Sequence, residues 1–168
     1  LSSDGTRATK VIFSPDGDLL ATVTADHRIQ LWNSDDGVQQ HQVGPLPSTV
    51  TAIDFHPDKP MLLAARQLPD QTASIIQAWS TGDARPVGEP LQTDGIIRGL
   101  PAHPDGRSIL QHTRDAITGN SHARFWNIEK AAPDSDRIVH RDPLNGVRLD
   151  SSGSMLLTSG DDGTVRLW

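Results

Sequence analysis

Four tryptophans, Trp32, Trp79, Trp126 and Trp168, divide the chain at intervals of 47, 47 and 42 residues. Self-similarity at a fixed period constrains a fold more tightly than any local propensity. A second landmark precedes each of them: FSPDG (Phe13 to Gly17), FHPDK (Phe55 to Lys59), AHPDG (Ala102 to Gly106) and LDSSG (Leu149 to Gly153). From each Trp to the middle residue of the next such stretch (Pro57, Pro104, Ser151) is 25 residues every time, whereas from the middle residue to its own Trp is 17, 22, 22 and 17. Length variation is therefore confined to one segment of each unit, and the rest is a fixed frame.

Within that frame, Val50, Ile53 and Phe55 are matched by Ile97, Leu100 and Ala102 and by Leu144, Val147 and Leu149, which predicts a first strand in each unit. Ser14-Pro15-Asp16-Gly17 has the chemistry of a type I turn. The runs Leu19 to Ala21, Met61 to Leu63, Ser108 to Leu110 and Met155 to Leu157 are too short for helices and continuous enough for strands buried on both faces. A third strand ends at the Trp, as in RIQLW and TVRLW, and turn residues follow at 33–37 and 80–83. Weaker fourth strands are expected over Val38 to Gln42, Val87 to Leu91 and Ile138 to His140. Four strands recurring in this way predict an all-β chain of four four-stranded β-propeller blades, the last incomplete at Trp168. The repeats run approximately 1–36, 37–83, 84–130 and 131–168 within a single domain.

Composition narrows the function. The chain carries 15 Lys+Arg against 21 Asp+Glu, a net charge of −6, and its basic residues are scattered, so nucleic acid is not an expected partner. No apolar run approaches the roughly 18 residues of a membrane helix, and no secretory signal is visible at Leu1. No membrane insertion is expected of this segment, and a cytoplasmic location is the reading adopted. The absence of cysteine excludes disulfides and thiolate metal sites without fixing the compartment.

The last unit, LLTSGDDGTVRLW (Leu156 to Trp168), resembles the WD-repeat (WD40) family, and the resemblance extends over essentially the whole chain. It implies a WD40-type β-propeller, here a segment of a larger, seven-bladed one. Such an open arc, with unpaired end faces, is expected to oligomerise or aggregate in isolation. The family pattern also implies a buried network joining a turn Asp, the Trp, a hydroxyl on the second strand and a His at the start of the repeat. Six residues before each Trp stand Asp26, Ala73, Asn120 and Asp162, and Thr22 and Thr158 are the hydroxyl partners. Thr93 stands about where the His belongs in the third unit, and His140 fills that role in the fourth. With the network patchy, the blades lean on apolar packing. The phrase TGDARPVGEPLQTDG (Thr81 to Gly95) resembles linkers of kinase-fused WD repeats in bacterial multidomain signalling proteins.

The resemblance implies a non-catalytic protein-protein interaction scaffold, the regulatory or targeting module of a larger signalling protein, whose partners are other proteins or domains of the same chain. The alternative is an accessory propeller that gates or presents substrate to a fused enzyme such as a hydrolase. A sensor using the central channel would need polar groups at one shared inner position, and the units share none. The two expanded segments, near 66–73 and 114–121, make Arg66, Gln67, Asp70, Arg114, Asp115 and His122 the contact candidates. His56 and His103, like Asp16, Asp58 and Asp105, recur because the turn recurs, so they read as turn-stabilising residues and not as metal ligands or acid-base groups. Trp32, Trp79, Trp126 and Trp168 read as inter-blade packing, with Gln30, Gln77, Arg124 and Arg166 two residues earlier on the same side. The chain has no Gly-x-Ser-x-Gly, no phosphate-binding Gly-rich loop and no His-Glu-x-x-His, so neither enzymatic activity nor a cofactor is expected.

Overall fold

The structure, a computed structural model, describes residues 5–70, 72–114, 120–128, 130, 132–135, 138–139 and 142–168, with Arg114 and Val139 described by their backbone alone. The described residues form four antiparallel sheets and no helix. The first sheet is the meander β1 (Ala8–Phe13), β2 (Leu19–Thr24), β3 (Ile29–Asn33) and β4 (Gln39–Val43). The second is β5 (Val50–Phe55), β6 (Met61–Gln67), β7 (Ala73–Ser80) and β8 (Pro86–Asp94). The third comprises β9 (Ile96–Gly99), β10 (Ser108–Arg114) and β11 (Ser121–Asn127), with β12 (Ala132–Pro133) and β13 (Ile138–Val139) both paired to β11. The fourth is β14 (Leu144–Leu149), β15 (Leu156–Gly160) and β16 (Val165–Leu167).

In the first three sheets the Trp-bearing third strand is closed by the strand that follows it, so these sheets and units cut after each Trp are out of phase by one strand. The third sheet departs from expectation: its fourth strand is two short pieces, one opposite Trp126 and Asn127 and the other opposite His122 and Ala123. Pro133 sits in the first piece, and proline has no N–H to give to a continuous ladder.

The turns after the first strands of the first, third and fourth sheets are built the same way. Gly17, Gly106 and Gly153 donate their N–H to the carbonyls of Ser14, His103 and Asp150, at 3.0, 3.0 and 3.1 Å. The first three sheets are then latched at that end, where Ser34, Thr81 and Ile128, two residues past their Trp, donate to the carbonyls of Asp18, Pro60 and Arg107. Every first strand carries a register shift at one equivalent residue, Thr9, Thr51, Arg98 or Asn145.

The core lies between sheets. Ala21, Val23, Ile29 and Leu31 of the first pack with Ile53, Phe55 and Leu62 of the second. Leu63, Ala65 and Ile76 of the second pack with Ile97, Leu100 and Ile109 of the third, and Leu110 and Ala123 of the third with Leu144, Val147 and Leu156 of the fourth. Full burial of each large aliphatic side chain contributes about 1.5–3 kcal/mol, so these interfaces, more than any one sheet, hold the array together. The second-strand runs were expected to be buried on both faces, and this fails in the fourth sheet, where Met155 and Leu157 are nearly half exposed. Among the described residues no further sheet packs there.

Candidate functional site

The four tryptophans fall into two classes. Trp32 Nε1 donates to Thr22 Oγ1 at 3.0 Å, and Trp168 Nε1 donates to Thr158 Oγ1 at 2.9 Å. In the second and third sheets the register places Ala64 and Gln111 where those threonines stand. There Trp79 Nε1 and Trp126 Nε1 are buried with no partner among the described residues. The same two units lack the turn acid, having Ala73 and Asn120 in place of Asp26 and Asp162. Those acids act locally: Asp26 accepts from Thr24 Oγ1 and pairs with Arg28 at 3.1 Å, while Asp162 caps the Thr164 N–H and pairs with Arg166 at 3.0 Å. Thr93, expected near the histidine position, is buried, its Oγ1 without a partner among the described residues, and His140 lies outside them. The third sheet has a different polar assembly. Arg124 lies over the Trp126 ring at 4.7 Å, pairs with Asp94 at 2.6 Å and reaches Gln111.

An orphaned buried N–H costs more than a typical hydrogen bond contributes. Ala64→Ser is therefore expected to stabilise the chain by about 1 kcal/mol, a rise in Tm of roughly 2–4 °C for a chain of this size. Thermal melting checks it; an unchanged or lower Tm would show that the serine does not reach Trp79 Nε1.

The turn histidines do more than their repetition suggests. His56 Nδ1 accepts the N–H groups of Asp58 and Lys59, at 3.1 and 3.0 Å, which leaves Nε2 to donate to the carbonyl of Gly106 in the next sheet at 2.7 Å. His103 repeats the arrangement, with Asp105 N–H on Nδ1 and the Gly153 carbonyl at 3.1 Å from Nε2. Each histidine thus caps its own turn and braces the following one. The first sheet has Ser14 in the histidine place, and the turn facing it has Lys59 in place of glycine. That pairing of residue types, His with the next Gly and Ser with the next Lys, is the sequence signal of the brace.

The repeated carboxylates are likewise engaged. The Ser14 hydroxyl and the Asp18 N–H hold Asp16 below the ordinary carboxylate range. Ser80 and the Arg85 N–H do so for Asp83, and Ser152 and the Met155 N–H for Asp150. Carboxylates held ionised in exposed turns are poorly suited to general-acid work. Among the described residues no three His, Cys, Asp or Glu side chains gather as metal ligands.

The first strands converge on a central concavity of about 780 Å³. Its wall gathers Lys10, Arg98, Arg148, Asp54, Asp161 and His112 from the four sheets. Burial raises the pKa of Asp54, while the N–H groups of Ala102 (2.8 Å) and Phe55 (2.9 Å) favour its charged form. Burial lowers that of His112 to about 4, with Arg98 and His122 adding to the effect and the Leu144 backbone opposing it. His112 Nε2 has no partner among the described residues.

The contact candidates lie at the opposite rim from the histidine turns. Arg66 and Gln67 close β6 opposite Ile75 and Ser74 and are half-buried; Asp70 is exposed in the β6–β7 connection and accepts the Thr72 N–H at 3.1 Å. Arg114 ends β10 opposite Ser121, and Asp115 lies outside the described residues. His122 is not in the loop: it lies half-buried on β11 with Nε2 2.9 Å from Thr113 Oγ1. No helix of the described residues is long and apolar enough to cross a membrane.

Comparison with known proteins finds similarity to WD repeats in parts of the chain. Residues 2–33 and 135–168 match the family described as WD domain, G-beta repeat. Over 93% of the chain it is 25% identical to Transducin beta-like protein 3 of Rattus norvegicus, covering 20% of that protein. It is 24% identical to a Target of rapamycin complex subunit of Mus musculus, over 89% of the chain and 44% of that protein. Identity to Apoptotic protease-activating factor 1 of Homo sapiens is 24%, over 93% of the chain and 13% of that protein. The chain thus spans less than half the length of each of these relatives.

Proposed function

We propose that this array of WD-type blades is a non-catalytic scaffold that binds other proteins through the rim carrying the β6–β7 and β10–β11 connections. One observation carries the reading: the repeat frame is constant, and its length changes only in the β6–β7 and β10–β11 hairpins, whose connections lie on the same rim. The frame's own carboxylates and histidines are engaged in turn bonds, so the variable chemistry sits where the chain is free to vary. The relatives' names fit this use, since one is a subunit of a complex and another a protease-activating factor. A regulatory or targeting role within a larger signalling protein belongs to the same proposal.

Capture experiments with the Arg66→Ala, Asp70→Ala double variant test it. The partner set is expected to shrink while the melting transition stays within about 1 °C, because exposed and half-exposed polar substitutions of this kind cost little stability. An identical set of captured proteins would remove this rim from consideration.

A further inference from the structure

We propose that the joint between the third and fourth sheets is a binding site for a primary carboxamide, supplied as an Asn or Gln side chain by a protein bound at the rim and seated between His112 and Ser121. The source of the amide rests on the scaffold reading above; the chemistry of the site does not. Its residues belong to the third and fourth sheets and their turns, at a joint that this chain builds from both sides.

His112 lies opposite Ala123, and Ser121 stands two residues from Ala123 on the same strand, so the two are diagonal neighbours on one face of the β10–β11 pair. That face packs on the fourth sheet, where Leu110 and Ala123 meet Leu144 and Val147. Both side chains line the central concavity, together with Pro143, Leu144 and Asp161. Ser121 opens β11 directly after the β10–β11 connection, and Asp161 lies in the β15–β16 turn, so the site is at the partner rim. His112 is 5% exposed and Ser121 1%, yet His112 Nε2 and Ser121 Oγ have no hydrogen-bond partner among the described residues. Buried polar atoms left unpaired are costly, and two on one face form a site that a ligand completes.

The neighbouring joint shows the same serine satisfied by the chain itself. Ser74 stands five residues before Trp79, as Ser121 does before Trp126. Its Oγ donates to the Gly95 carbonyl and accepts the Ile97 N–H, both at 3.0 Å. By register, Ala65 occupies the place of His112 there. Only the third sheet puts a ring and an unsatisfied hydroxyl side by side.

The two free atoms define the ligand. A ring N–H of His112 donates to the Leu144 carbonyl, and because Nε2 is the atom without a partner, that N–H is on Nδ1. Burial keeps the ring neutral, so Nε2 presents a lone pair and requires a donor. The Ser121 hydroxyl has a hydrogen to give and requires an acceptor. A primary carboxamide carries both on separate atoms: its NH2 donates to Nε2, and its carbonyl accepts from Oγ. A carboxylate brings no hydrogen for Nε2. An ammonium meets Arg98, whose charge already opposes protonation of this ring, and would be buried as a charge.

Nuclear magnetic resonance of the ring nitrogens, with propanamide as the probe, tests the site. The His112 Nε2 resonance, assigned by its loss in His112→Gln, is expected to shift saturably with propanamide and not with propanoate or propylammonium. Ser121→Ala is expected to weaken propanamide binding roughly fivefold or more. Its melting temperature is expected to stay level or rise, because the hydroxyl has no bond to lose in the free chain. Should Ser121→Ala lose its strand signal in circular dichroism, Ser121→Cys, a weaker donor of similar size, replaces it. Absence of a saturable shift, an equal response to propanoate, or a Ser121→Ala chain that binds propanamide as the wild type does or melts several degrees lower would overturn the site, whatever the rim captures. In the capture experiment, Ser121→Ala is expected to lose proteins that the wild type retains. An unchanged captured set beside intact propanamide binding by the wild type would overturn the partner side chain as the source, while the Arg66→Ala, Asp70→Ala variant judges the rim separately.

Discussion

Gly106→Ala is expected to lower the melting temperature by on the order of 10 °C. Gly106 has φ +65°, a conformation that costs a residue bearing a Cβ about 1–2 kcal/mol. The added carbon would also stand 2.8 Å from His56 Cε1 and 3.1 Å from Asp58 Oδ2. His56 is buried and holds three hydrogen bonds, so its ring has little room to retreat and must surrender the brace to Gly106 or the cap on its own turn. Bonds of this kind are worth about 1 kcal/mol each, with a further penalty for whatever is left unpaired. The diagnostic measurement is a double-mutant cycle with His56→Ala. In that background Gly106→Ala is expected to cost only the backbone term, about 1–2 kcal/mol. Equal costs in the two backgrounds would separate the glycine from the histidine and remove the brace from the account.

Acid is the second lever. His112 has its pKa lowered to about 4 because burial opposes the charged ring, with Arg98 and His122 adding repulsion. The folded state therefore binds fewer protons than the unfolded state between about pH 6.5 and 4. The stabilisation is complete above the unfolded value near 6.5 and is lost progressively as pH falls towards 4, to a total on the order of 3 kcal/mol. Asp54, on the same concavity, acts in the other sense: its raised pKa favours the neutral carboxyl in the fold, which offsets part of the loss at the acid end. Asp16, Asp83 and Asp150, held below the ordinary range, contribute losses only below the carboxylate range near pH 4. Urea melts from pH 7 to 4.5 are expected to show a falling midpoint for the wild type and a markedly flatter one for His112→Gln, whose amide does not titrate. Parallel midpoint curves for the two would exclude His112 as the acid-sensitive group.

The sheets were legible in the sequence because their signal is periodic. Invariant spacing from each Trp to the next turn located first, second and third strands, and the turn glycines marked the reversals. What escaped was set by relations between units. The brace from His56 to Gly106 spans 50 residues, and neither residue is unusual within its own turn. The split fourth strand of the third sheet escaped because an edge strand is specified by few pairs, and Pro133 removes one donor. The charges of the concavity escaped because Lys10 and Arg98 occupy register positions different from each other and from the one that Asp54 and Arg148 share, and all four meet only once the first strands converge. At the rim, the expanded segments were visible as length differences. His122 was misjudged as a loop residue because the longer segment lies before it, and β11 begins at Ser121.

Partners are expected at the rim of the β6–β7 connection and not at the rim of the histidine turns. Site-specific photo-crosslinking compares them directly, with the photoreactive residue placed at Asp70 in one version and at Asp16 in the other, both exposed turn positions on opposite rims. Covalent adducts with other proteins are expected from position 70 and not from position 16. Adducts confined to position 16, or equal from both, would contradict the claim.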